Sequence, residues 1–353
     1  MNTVVLIPAY QPEASFVPYV RELCASGCNR IVAVDDGGGE KYAAIFAQIS
    51  ALPGCTVLTH SVNRGKGRAL KTGYEYILRH MAGAAGVVTA DCDGQHSAKD
   101  VLRLSALLEK GGDGVILGSR TFGDKSIPLR SRFGNNVTSW IFALLYGQKL
   151  SDTQTGLRGI PMRHLGWMCG IEGERFEYET NVLIQCRLRK VPLEEMPIET
   201  IYLNENTGSH FNPVKDSIRI YKLMLKSFFL FFASSLLCSL VDLGAFALFS
   251  KAVFPEGFSE RLLLSTVLAR AVSSLLHFAI NRGLVFKNGG RGCIVRYYIL
   301  AVVQLLCSWL LVEGLFALLG IDEVVIKAVV DVVLFFFSYR IQRAWVFRGN
   351  RGD

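Results

Sequence analysis

The sequence predicts an α/β domain with a Rossmann-like, mostly parallel sheet over residues 1–225, followed by an all-α domain of four transmembrane helices over 226–353. Three observations carry this expectation. Short apolar runs alternate with helix-like segments through the first part of the chain, which is the pattern of parallel strands joined by crossover helices. Several of those runs end on acidic residues or glycines. The rest of the chain is mostly apolar, in a protein of 353 residues that is 50% hydrophobic.

Taken in order, NTVVLIPAY reads as a short buried strand ending at a Pro-containing loop, and residues 12–28 suit a helix. RIVAVDDGGGE is a second strand that runs into Asp35, Asp36 and three glycines. CTVLTH is a third strand, and KGRALKTGYEYILRHM is a helix starting near Gly65. GVVTAD and GVILGSR are the fourth and fifth strands. In such sheets ligands bind beyond the carboxyl ends of the strands. Tyr10, Asp35, Asp91 and Arg120 all fall there. RSRFGNNVTSWIFALLYG places basic residues before an apolar run with Trp140, Phe142 and Tyr146. It reads either as a helix lying in a membrane interface or as a core helix of the domain.

The apolar part contains four stretches, about 228–249, 262–281, 297–319 and 324–346. Each is close to the roughly 20 residues that span a bilayer. Lys215, Arg219, Lys222 and Lys226 precede the first stretch; Arg282, Lys287, Arg291 and Arg296 lie between the second and third; Arg340, Arg343, Arg348 and Arg351 close the chain. The other connections, KAVFPEGFSER and GIDE, are neutral or acidic. Because basic loops stay inside, both termini and the N-terminal domain are expected in the cytoplasm, with the protein multi-pass in the cell (inner, cytoplasmic) membrane. INRGLVF (280–286) echoes IQRAWVF (341–347), and DLGAFAL (242–248) echoes VEGLFAL (312–318), so two helix pairs related by duplication are expected. Asp242, Arg270, His277, Glu313, Lys327 and Asp331 are costly in lipid and should face the bundle interior or pair with one another. Arg270 and Asp331 occupy matching places in the two halves and are the expected pair.

Net charge is +8. The basic residues cluster near and within the apolar part, which fits a membrane surface better than nucleic acid. The nine cysteines form no CxxC pair, as free thiols in a reducing compartment would be arranged. MNTVVLIPAY has no basic stretch before its apolar run, so no signal peptide is expected. The spacing of a P-loop is absent, and no GxGxxG follows the first strand.

VVTADCDGQHS puts Asp91, Asp93 and Gln95 on one tight turn at a strand end. Hard oxygen ligands of this kind suit Mg²⁺ or Mn²⁺, which keep positions open for substrate oxygens. Such an ion would clamp a diphosphate and stabilise it as a leaving group. Taken alone, the pair of aspartates reads as a solvated turn rather than a metal site, and His96 as a polar wall residue rather than a ligand. Asp35 can accept hydrogen bonds from a base edge. NRGKGRAL sets glycines and cations, Lys66 among them, at a helix start, a suitable phosphate or ribose neighbourhood. Asp152 and Glu179 are the carboxylates able to act as a base toward a hydroxyl acceptor. Their plain alternatives are a turn cap for Asp152 and an i, i+4 pair with Arg175 for Glu179.

Together, PAYQPE, AVDDGGGE, NRGKGRALKTG, TADCDGQHS, GSR, IPLRSRFGN, DTQTGLRG and ERFEYETNVL resemble glycosyltransferase family 2 over residues 3–225. The likeness is to the branch of dolichol-phosphate mannose synthases and bacterial polyprenyl-phosphate glycosyltransferases. The tail resembles the GtrA-like membrane domain, which is thought to help flip lipid-linked sugars. The resemblance implies a GT-A fold and an inverting transfer of a hexose from a UDP- or GDP-sugar to polyprenyl (undecaprenyl or dolichyl) phosphate; a homo-oligomer is compatible with it. It implies a nucleotide pocket lined by Pro8, Tyr10, Glu13 and Asp35, with Asp91, Asp93 and Gln95 on metal and diphosphate. Arg120, Arg130 and Arg132 would meet phosphates of donor or acceptor. In two places the chain departs from the pattern. YQPE shifts Glu13 by one position, and NTGSHFNP replaces the ESKL form, leaving Ser209, His210 and Lys215 as the residues able to contact the acceptor phosphate. A lipid-linked-sugar flippase whose soluble half only binds ligand is the competing function. A processive synthase would need a QxxRW signature that is missing here.

Overall fold

The computed structural model describes residues 1–120, 129–199, 215–254, 260–287, 289–290, 292–319 and 322–348. Ser209 and His210 lie outside them. The chain divides into two compact units, Met1–Met224 and Leu225–Asp353.

The first unit is built on seven strands: β1 (Thr3–Ala9), β2 (Ile31–Asp35), β3 (Cys55–Thr59), β4 (Gly86–Thr89), β5 (Val115–Arg120), β6 (Arg158–Pro161) and β7 (Leu193–Ile198). Their order in the sheet is β3-β2-β1-β4-β6-β5-β7. All pairings are parallel except those of β6, which runs antiparallel to β4 and β5. The five strands expected from the sequence are present. β6 and β7 were not expected: RGIP is too short to show a period, and LEEMPI, at the sheet edge, exposes Glu194 and Glu195.

Seven helices cover the sheet: α1 (Phe16–Ala25), α2 (Glu40–Ser50), α3 (Lys66–His80), α4 (Ala98–Glu109), α5 (Leu129–Tyr146), α6 (Met162–Cys169) and α7 (Glu177–Arg189). Because both faces are covered, the central strands are apolar throughout rather than alternating. Val4, Leu6, Val32, Val34 and Val87 join the core that includes α3, α6 and α7. Val5, Ile7, Ala33 and Val88 join the core that includes α1 and α4. Pro8 costs no ladder bond. The last β1–β4 bond is Ala90 N–H to Leu6 O, and Pro8 faces the same way one step past it. α5 packs one face into the domain and leaves the other exposed. Asn135, Ser139 and Phe142 are buried, whereas Phe133 and Trp140 are 73% and 66% exposed.

The second unit holds the greater part of α8 (Lys215–Leu248), then α9 (Arg261–Ile280), α10 (Cys293–Leu319) and α11 (Glu323–Ile341). Among the described residues three helical segments are long and apolar enough to cross a membrane: Lys215–Val253, Arg261–Val285 and Cys293–Leu319. α11 is shorter and carries Lys327, Asp331 and Arg340, so the fourth expected span does not meet the same measure.

The echoed heptapeptides have the same structure. Each helix of the pair ends in a π-helical turn, Asn281–Val285 after α9 and Gln342–Val346 after α11. The two turns lock together. Buried Asn281 donates from Nδ2 to Gln342 Oε1 at 3.1 Å and accepts from Ser234 at 2.9 Å, and Gln342 donates to Ser338 at 3.0 Å. Phe286 and Phe347, which end the two repeats, stack at 5.2 Å. The expected Arg270–Asp331 pair does not form. Arg270 pairs with Asp242 at 3.3 Å, and Asp331 takes Lys327 one turn away on its own helix. Proximity along α11 thus supplies Asp331 with a cation that the repeat pattern could not show.

Asn281→Ala leaves Gln342 and Ser234 without their shared partner in an apolar surround, a loss of about 1–3 kcal/mol. The detergent-solubilised variant should melt several degrees below the wild type in a circular dichroism scan; an unchanged transition would contradict this role.

Candidate active site

The two aspartates of VDDGGG have separate roles. Asp35 Oδ1 accepts Gly38 N–H at 2.8 Å and closes the turn after β2. Asp36 turns inward and accepts His60 Nδ1–H at 2.7 Å, Arg64 N–H at 2.9 Å and Gly65 N–H at 2.7 Å. A buried carboxylate with three donors is well satisfied, and here it pins the NRGKG loop to the end of β2. Two glycines then let the start of α3 press against residues 174–178. Gly65 has φ +100°, and a Cβ there would lie 2.4 Å from Glu174 O; one on Gly67 would lie 2.5 Å from Tyr178 Cβ. Arg68 N–H bonds Glu174 O at 3.0 Å across this contact.

The result is the placement of Lys66. Its Nζ lies 2.8 Å from Asp91 Oδ1, at the end of β4, and 3.0 Å from Glu179 Oε2 on α7, with the Phe176 ring 5.9 Å away. Burial alone would lower the lysine's proton affinity, but Asp91 and Glu179 outweigh it and raise it above the ordinary value. Burial would likewise raise Asp91; the Lys66 ammonium, with help from His96, instead holds it well below the usual carboxylate range. Asp93 is pushed up by burial and by the charge of Asp91. The same causes, with Asp93 ahead of Asp91, push the Cys92 thiol up to about 12.

Beside this group lies a small cleft of about 40 Å³ lined by Asp91, Gln95, His96, Arg120, Gln154 and Gly156, among others. Arg120 grips buried Asp152 with two bonds, Nε to Oδ2 at 2.6 Å and Nη2 to Oδ1 at 3.2 Å, and Asp152 Oδ1 also accepts Gln154 N–H at 3.0 Å. Asn135 on α5 braces the same loop through Ser151 O at 2.7 Å and Thr153 N–H at 3.1 Å. Gly156 is required by proximity: a Cβ there would lie 2.4 Å from Asp91 Oδ2.

Asp91, Gln95, Arg120, Asp152, Lys66 and Glu179 are therefore brought together, and Asp93 stands on the same turn, accepting Gln95 N–H at 3.0 Å. Asp35 closes its own turn, Glu13 is exposed, and Lys215 is exposed at the start of α8. Arg130 and Arg132 lie in the first turn of α5. Glu179 pairs with Lys66 instead of Arg175, because it is buried facing α3 while Arg175 precedes the first turn of α7. Asp36 and His60 escaped the sequence reading; so did Arg158 and Tyr19. Arg158 bonds Glu179 O at 2.8 Å and Thr155 O at 3.0 Å, tying α7 to the cleft loop. Tyr19 is buried; its phenol is raised by burial and then by the charges of Asp91 and Asp93. The only signal for Asp36 was its repetition of Asp35.

The residues fit a divalent cation. Asp91 and Asp93 crowd two hard-oxygen donors onto one turn, and the ring nitrogens of buried His96 have no hydrogen-bond partner while Nε2 stands 3.5 Å from Asp91 Oδ2. Among the described residues no three His, Cys, Asp or Glu side chains form a metal cage.

Residues 4–165 match the model of glycosyl transferase family 2, and residues 230–347 match the GtrA/DPMS transmembrane domain. An uncharacterized protein of Methanocaldococcus jannaschii is 30% identical over 229 residues, 64% of this chain and 92% of its own. The chain belongs to glycosyltransferase family 2. Its mostly parallel sheet is the expected GT-A domain, joined to an apolar helical domain of the GtrA/DPMS kind. This family 2 glycosyltransferase is also 27% identical over 237 residues to the UDP-N-acetylglucosamine–dolichyl-phosphate N-acetylglucosaminyltransferase of Methanococcus voltae, covering 62% of this chain and 94% of that protein. It is 28% identical over 156 residues to the polyprenol monophosphomannose synthase of Mycolicibacterium smegmatis, covering 43% of this chain and 54% of that protein.

Asp152→Ala removes both carboxylate bonds to Arg120 and the acceptor of Gln154 N–H. Breaking such a pair costs about 3–5 kcal/mol, so the melting temperature of the glycosyltransferase should fall by roughly 10 °C; a shift within error would show that Arg120 finds another partner at no cost.

Proposed function

We propose that the protein is a membrane-bound inverting glycosyltransferase that moves a hexose from a UDP- or GDP-sugar to polyprenyl phosphate, giving a polyprenyl-phosphate sugar for cell-envelope glycan modification. One observation carries this reading. The two carboxylates available as a base, Asp152 and Glu179, are each neutralised by a cation, Arg120 and Lys66. A hydroxyl acceptor needs a base to remove its proton. A phosphate acceptor arrives already ionised, so the site has to provide only orientation and charge stabilisation. The polyprenyl phosphate oxygen attacks C1 of the sugar, the C1–O bond to the nucleoside diphosphate breaks with its electron pair, and attack from the opposite face inverts C1. The two relatives named for dolichyl-phosphate and polyprenol acceptors support the same class of acceptor.

In this reading Pro8, Tyr10, Glu13, Asp35 and Lys66 serve the nucleotide. Asp91, Asp93 and Gln95 would hold Mg²⁺ or Mn²⁺, which supplies neutralisation of the departing diphosphate. Arg120, Arg130, Arg132, Ser209, His210 and Lys215 serve the acceptor phosphate. The exposed Phe133 and Trp140 of α5 suit a helix that rests in the headgroup region. Four spans, with both termini and the catalytic domain cytoplasmic, follow from the basic loops.

The deciding experiment incubates purified protein with bactoprenyl phosphate, Mg²⁺ or Mn²⁺ and a panel of sugar nucleotides. Mass spectrometry should find a lipid monophosphate carrying one hexose from one donor; a sugar transferred only to hydroxyl acceptors would overturn the reading. Asp93→Ala should lower turnover at least 100-fold, on the order of the loss of one charge-stabilising group, with membrane insertion unchanged. A cysteine placed near residue 290 should resist impermeant thiol reagents in intact cells and react after lysis. Labelling in intact cells would reverse the orientation.

A further inference from the structure

The Lys66 ammonium occupies the carboxylate that a divalent cation would need, and this has consequences for the order of binding. Asp91 is already engaged. Oδ1 takes Lys66 at 2.8 Å, and Oδ2 has His96 Nε2 at 3.5 Å. Lys66 is held there from the other side by Glu179 at 3.0 Å. Glu179 is fixed in turn through its backbone carbonyl, which accepts Arg158 Nη1–H at 2.8 Å. The clamp is built by the fold, because the glycines at 65 and 67 bring α3 against the start of α7.

We infer that Lys66 is a built-in counter-cation of Asp91, so that a divalent metal enters this site only weakly until a nucleoside diphosphate is present to receive the lysine. The inference rests on the metal assignment above and extends it to an order of events. In the free enzyme, metal and ammonium compete for the same oxygen. A buried carboxylate–lysine pair resists being broken, since each partner would be left uncompensated. A diphosphate changes the balance. It brings fresh oxygens for the ammonium of Lys66. It brings oxygens for the metal as well. Lysine is suited to this transfer because its charge sits on a flexible stem and can change partners without a fixed fork geometry. Donor and metal should therefore bind with strong mutual dependence, as linkage requires, and the free enzyme should hold neither tightly.

The test is direct binding of Mn²⁺ to the full-length protein in detergent, read by electron paramagnetic resonance of free Mn²⁺, with and without UDP or GDP. The variant Lys66→Met/Glu179→Gln removes one charge of each sign, so the net charge of the site is conserved while Asp91 loses its competitor. Its affinity for Mn²⁺ without nucleotide should rise at least about tenfold, a change that one decade of the binding constant reads clearly, and the tightening by nucleotide should shrink. Glu179→Gln alone, which leaves the lysine wholly to Asp91, should weaken nucleotide-free Mn²⁺ binding, and it keeps the inference testable if the double variant fails to fold. Unchanged nucleotide-free affinity in a folded double variant, or in Glu179→Gln, would overturn the inference while leaving the metal assignment intact. Absence of Mn²⁺ binding to the wild type even with UDP and GDP would remove the metal assignment, and the inference with it.

Discussion

The ammonium of Lys66 joins three separate pieces of chain: the start of α3, the end of β4 and the first turn of α7. Much of the site's construction answers to that one charge. Two carboxylates at this depth could not both stay ionised without a cation between them. The positions of Asp91 and Glu179 are thus set by where Lys66 can reach, and Lys66 is set by the loop that Asp36 anchors. Gly65 and Gly67 are the steric condition for the arrangement, and Arg158 is its rear support.

The same logic organises the opposite wall of the cleft. Arg120 leaves the end of β5 and is oriented by Asp152, whose loop is held by Asn135 from α5 and by Glu195 from β7. Both walls present a cation whose charge is shared with a carboxylate behind it. An arrangement of this kind binds anions without becoming a permanent salt trap, because the resident carboxylates already satisfy the cations in the empty state. It also ties the site to the ends of β4 and β5.

Much of this was legible in the sequence where local pattern and chemistry coincide. Asp91, Asp93 and Arg120 follow strand-like runs directly, so their place at one edge of the sheet could be read from the runs alone. Partners could not. Glu179 lies four residues after Arg175, and spacing offered that pair, but burial of its face toward α3 decided for Lys66. Asp36 looked redundant beside Asp35, since nothing local distinguishes a carboxylate that faces a cleft from one that bonds backbone amides 28 residues away. β6 and β7 were invisible for another reason: four residues are too few for a period, and an edge strand with two glutamates does not look apolar. In the membrane unit the duplication was legible as similar letters, whereas the partner of Arg270 depended on a helix crossing that letters do not encode.

The interlocked π-helical turns carry a consequence for how such a unit can change. Here an asparagine faces a glutamine one methylene longer, and each is bonded to a different serine. The two sides of the contact are therefore unequal, and a change of length in one amide has to be met by the other.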